Sequence, residues 1–145
     1  MRVTMLLADA AQVADGKLFI LGGGWNVCGP GPTQMALAIQ VEIPPSQARR
    51  KHHWSIVLLD GNGEPALLLA DGQKSAVAIE GQFERTRTSD SASPDDPARL
   101  TFAFNMMPLP LQPGSHYVWQ LSIDNKTRKD WRVSFRTRPA MPPPS

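Results

Sequence analysis

The side chains of this 145-residue protein that could do chemistry are few, and their spacing limits each one. His52 and His53 are adjacent, so on an extended segment they point to opposite faces and cannot grip one ion together. His116 has no partner that spacing identifies. Cys28, the single cysteine, sits near Gly29, Pro30, Gly31 and Pro32 with no readable base to activate it. Gly22-Gly23-Gly24-Trp25 follows an apolar run as a phosphate loop would, but the glycines and prolines downstream forbid the helix whose amino terminus would hold the anion. A backbone bulge or a close approach between sheets is expected there. Asp60-Gly61-Asn62-Gly63-Glu64 carries calcium-type oxygens without the full twelve-residue pattern, and reads as a tight hairpin. No Gly-x-Ser-x-Gly elbow occurs, and no carboxylate pair falls at acid–base spacing on one face. The expectation is a protein that is not an enzyme and uses no cofactor and no metal.

Surface recognition remains. Arg132, Arg136 and Arg138 project from one outer face of the last strand, with Lys126, Arg128 and Lys129 in the turn before it. A second basic run, Arg49-Arg50-Lys51-His52-His53, leads into an earlier strand. Such a stripe could contact phosphates or an acidic partner, and it would equally deter edge-to-edge pairing of the sheet. Aromatic residues do not interleave with the charges, which disfavours nucleic acid. Trp119 and Trp131 alternate with core positions and Trp54 opens a buried strand, so only Trp25 has a loop setting suited to a carbohydrate-type ligand. The candidate interaction residues are therefore Trp25, Arg132, Arg136 and Arg138.

Positioning these residues falls to strands, because alternation with period two runs from end to end. Met35, Leu37, Ile39, Val41 and Ile43 share one face of a half-buried strand, Gln34 to Ile43. Ala76 to Phe83 repeats the pattern with Gly81 as an expected bulge, and Leu100, Phe102, Phe104 and Met106 repeat it again. Tyr117, Trp119, Leu121 and Ile123 form a hairpin with Trp131, Val133 and Phe135 through Asp124-Asn125-Lys126. Trp54 to Leu59 is apolar on both sides and predicts a central strand covered on both faces, leading through Asp60 to Glu64 into a hairpin partner at Ala66 to Ala70. Val3 to Ala8 and Lys17 to Leu21 flank Ala14-Asp15-Gly16 as two more strands. Helix is confined to a turn at Pro45 to Arg50 and another at Asp9 to Val13. Eight or nine short strands with one apolar face each predict a single antiparallel β-sandwich over residues 1–139, immunoglobulin-like or jelly-roll-like. Ser89 to Pro97 reads as an exposed flexible loop, and 140–145 as a proline-rich flexible tail.

Composition agrees with one domain. Apolar residues make up 41% of the chain, enough for a core without disulfides, and 15 basic against 13 acidic residues do not by themselves announce nucleic acid. Asp9 interrupts the amino-terminal apolar run before a signal peptide would be complete, and no run approaches a membrane span. The reading is a cytoplasmic protein, with a virion component also compatible.

The stretch LLADAAQVADGKLFILGGGW at 6–25, with DGNGEP at 60–65, PGSHYVWQLSIDN at 113–125 and DWRVSF at 130–135, resembles a family of small uncharacterised bacterial proteins, commonest in actinobacteria. The resemblance covers most of the chain and implies no activity and no site residues. Pro113-Gly114 followed by Tyr117-Val118-Trp119-Gln120-Leu121 is also similar to the penultimate strand of many immunoglobulin-like sandwiches, here without their disulfide. The expected function is binding of a protein partner or self-association, homo-oligomers included, as a structural or accessory part of an assembly. A carbohydrate-type module around Trp25 is the alternative.

Overall fold

The computed structural model describes residues 1–84 and 96–142, and they fold as an all-β, sandwich-like domain with no helix among them. Eleven strands follow one another: β1 Arg2–Ala14, β2 Lys17–Gly23, β3 Val27–Cys28, β4 Thr33–Ile43, β5 His52–Leu59, β6 Leu67–Ala70, β7 Gln73–Ala76, β8 Ala78–Phe83, β9 Ala98–Leu109, β10 His116–Ile123 and β11 Arg132–Thr137. One sheet has the order β2-β1-β4-β9, the other β3-β11-β10-β5-β8, and β6-β7 is a separate ribbon. All pairings are antiparallel except β3 with β11. Of the expected loop at 89–97 only Asp96 and Pro97 are described, and of the expected tail residues 143–145 lie outside the description.

Alternation places the core as the sequence predicts. Met35, Leu37, Ile39, Val41 and Ile43 of β4 are buried against Trp54, Ile56 and Leu58 of β5 and Tyr117, Trp119, Leu121 and Ile123 of β10. Trp54 crosses between the sheets, its ring 5.9 Å from that of Phe102 and 5.2 Å from that of Phe104 on β9. Three reversals are two-residue turns whose central residues both have positive φ: Asp15-Gly16, Asp71-Gly72 and Asp124-Asn125. These residue types adopt that conformation at least cost, and its twist matches that of the flanking strands.

Several expectations need correction. Asp9 to Val13 belongs to β1 instead of a helical turn, and Pro45 to Arg50 makes successive reverse turns. The strand at 34–43 is not simply half-buried, because Ala36 and Ala38 on its outer face are covered by a small alanine cluster with Ala8 and Ala11 of β1. Strand β5 is central but not covered on both faces, since His53, Ser55, Val57 and Leu59 on its outer side stay partly exposed. Its ladder partners are β10 and β8. The 60–64 turn is tight, with Asp60 Oδ1 accepting from the N–H groups of Asn62 and Glu64, yet it delivers the chain only to one bridge, Leu59 to Pro65. Leu67–Ala70 pairs with β7 instead. Gly81 is no bulge: the β5–β8 register runs unbroken, and a Cβ there would lie 2.6 Å from Cζ2 of Trp54.

Candidate functional site

Five of the large hydrophobic side chains that stay exposed lie on β1 and β2: Leu6, Val13, Phe19, Ile20 and Leu21. Phe19 keeps 55% and Leu21 70% of its surface open. Strand β2 is also the edge of its sheet. Across the Asp15-Gly16 turn Ala14 and Lys17 are directly opposed, and in a two-residue hairpin such a pair exchanges both of its main-chain bonds. Alternation then turns the N–H and C=O groups of Leu18, Ile20 and Gly22 away from β1. Among the described residues no strand pairs with these groups, and an apolar edge of that kind is a template for another strand, which proteins ordinarily cover or charge. Lys17 is the one charged residue of β2.

The ribbon that carries this edge is held from the far strand of the sheet. The distal half of β1 runs beyond its register with β4, which ends at Ala8 opposite Ala36. There the Asn105 side chain from β9 takes the place of a strand, accepting from Ala11 N–H at 3.1 Å and donating to Ala11 C=O at 2.7 Å. The alternation over Lys17 to Leu21 predicts a strand but carries no sign that its edge lies open, and Asn105 looks like an ordinary outward polar residue.

The residues singled out by sequence do not converge. Trp25 packs edge-on against Phe135, ring centroids 6.2 Å apart at 85°, and its Nε1 is buried with no hydrogen-bond partner. It is a partly covered plug on the core. Arg132, Arg136 and Arg138 do share the outer side of β11 and its extension. Arg136 donates to Nε2 of His116 at 2.6 Å and Arg138 donates to Gly29 C=O at 2.7 Å. Arg132 has no acidic partner within 4 Å among the described residues.

His52 and His53 point to opposite sides, as their adjacency requires. His52 is buried, with Nδ1 2.6 Å from Asp124 Oδ2 and Nε2 2.8 Å from Gln47 C=O. Both ring nitrogens are engaged by groups of the fold itself, which ties the ring into the structure on both sides. Asp124 Oδ1 accepts from His53 N–H at 3.0 Å. The hydrogen bond from His52 holds the Asp124 carboxyl below its ordinary range, against the opposing effect of desolvation. Burial pushes the Cys28 thiol up, outweighing the Thr33 hydrogen bond and the Arg138 charge, and a thiol held protonated is a weak nucleophile.

No group of three or more His, Cys, Asp or Glu is placed to hold a metal among the described residues, and no helix there is long and apolar enough to cross a membrane. No curated protein and no solved structure matches the chain. A family model covers residues 3–136, from the second residue of β1 to the penultimate residue of β11, and the chain belongs to that family, a family of unknown function (DUF6941).

Proposed function

We propose that this protein is a non-catalytic binding domain that adds a strand to its β2 edge, taken from another protein or from a second copy of itself, as a structural or accessory part of an assembly. The observation that carries this reading is the apolar edge of Lys17–Gly23, with Phe19 and Leu21 exposed beside main-chain groups that face no strand among the described residues. Strand addition takes its affinity from main-chain bonds and its specificity from alternate side chains. An antiparallel dimer centred on Ile20 would set Phe19 of each copy opposite Leu21 of the other.

An immunoglobulin-like assignment of the sandwich belongs to the same proposal. Its support is the order of β1, β4 and β9 facing β3, β11, β10, β5 and β8, and a tyrosine at the start of β10 whose hydroxyl accepts from Gln112 N–H at 2.9 Å.

The test is mass by light scattering during size exclusion, across concentration and salt, on the protein and on Phe19→Lys/Leu21→Lys, with pull-downs by each. The expected result is a dimer or a captured protein that survives high salt, because the contact is apolar, and that the double variant loses while keeping its melting temperature. A monomer that captures nothing through β2 would sink the reading. Association that instead vanishes with salt would point to the Arg132, Arg136 and Arg138 face.

A further inference from the structure

The two basic segments that are far apart in sequence meet at one place. Arg50, from the turn after β4, and Lys126 and Arg128, from the β10–β11 connection, line a cleft of about 490 Å³ together with Gln47, Thr127 and the edge of the buried Trp131. None of the three cations has an acidic partner within 4 Å among the described residues. The acid beside them, Asp124, already gives Oδ2 to His52 and Oδ1 to His53 N–H.

The cleft is also built from the inside. Buried His52 bonds Gln47 C=O on one wall and Asp124 on the other, so one ring sets the spacing of both. Arg128 is further placed by its guanidinium carbon lying 5.4 Å over the Trp131 ring, and Thr127 by its hydroxyl donating to Leu121 C=O at 2.7 Å. Asp124 lines the same opening and lies in the field of Arg50, but its carboxyl is engaged by His52 and the His53 N–H, so the cleft holds three cations against one committed carboxylate. Two guanidinium forks and an ammonium suit the oxygens of a multiply charged oxyanion, and the volume suits a small molecule.

We propose that this cleft binds a small phosphoryl-bearing ligand through Arg50, Lys126 and Arg128. The site is separate from the β2 edge: Met1 lines the cleft, whereas the β1–β2 turn sits at the opposite end of the 13-residue β1.

Inorganic pyrophosphate is the probe, titrated calorimetrically into the full chain at low salt, with phosphatidylcholine vesicles containing phosphatidic acid as a parallel arm. Saturable one-to-one binding is expected, weakened about tenfold or more by Arg50→Gln and by Arg128→Gln, the loss of one charge-assisted contact each. Lys74→Gln removes the same charge from the exposed β7, in the ribbon beside His116 at the other end of β10, and should change affinity by less than about twofold, as a screened distant charge must. Unchanged melting temperatures show that the variants fold. Three outcomes overturn the proposal: no saturable binding, equal loss in Lys74→Gln, or binding to vesicles alone, which would make the cleft a contact for a lipid surface.

Discussion

Asp124 joins three jobs in one residue: it opens a turn at φ 53°, accepts from His52 and accepts from the His53 backbone. Its turn role is legible from Asp124-Asn125-Lys126, but His52 lies 72 residues away, and no local pattern announces that pairing. A carboxyl whose folded pKa is lowered contributes stability that is complete above its ordinary value of 3.8 and is lost as pH falls through the lower folded value. Asp124→Asn keeps a residue that tolerates positive φ and removes the charge. It should lower the melting temperature at neutral pH and flatten the decline below about pH 4, measured by calorimetry from pH 2 to 7. A decline as steep as in the unchanged protein would show that other carboxyls carry it. Gly81 is a second residue whose reason is tertiary. Glycine inside an alternating strand predicts a bulge, whereas here its missing Cβ makes room for the Trp54 indole. Gly81→Ala should cost about 1–3 kcal/mol in urea denaturation, the usual penalty of overpacking. Gly61→Ala, whose Cβ would sit 3.5 Å from His116 Cβ, should cost far less.

The elements follow from two local signals, period-two alternation and turn chemistry. Where both agree, as in β10 and β11, the faces fall as expected, with Trp119, Leu121, Trp131 and Phe135 all buried. Where the partner of a strand depends on distant chain, alternation is silent. The Asp60 to Glu64 turn predicts a hairpin between neighbours, but the ladder on β5 is filled by β10 and β8, and β6 pairs with β7. The distal half of β1 depends on Asn105, which supplies both bonds that β4 would have made at Ala11. Asn105→Ala should therefore leave the sandwich folded while amide exchange quickens at Ala11, as the ribbon opens locally. Exchange at Leu37 and Trp119, in the buried middle of each sheet, should stay unchanged. Quickening there as well would mean that Asn105 supports the whole domain.

For the whole molecule, apolar surface on one face of each strand must be buried, and two sheets closing on each other is the outcome that alternation demands. That demand is written in the residues themselves, so the all-β class, the inward sets of β4, β10 and β11 and two of the three two-residue turns can be read without coordinates. The same reasoning cannot say which edges remain open or which basic segments become neighbours. Strand order decides that β2 is an edge, and thus that Phe19 and Leu21 face solvent instead of a companion strand. The packing of His52 between Gln47 and Asp124 decides that Arg50 stands with Lys126 and Arg128, although the chain between them is more than half of the protein. Trp25 moves the other way, from an apparent loop platform to a partly covered neighbour of Phe135. Period and turn chemistry act between residues a few positions apart, whereas edges and clefts arise only from contacts across the chain, which no local pattern encodes.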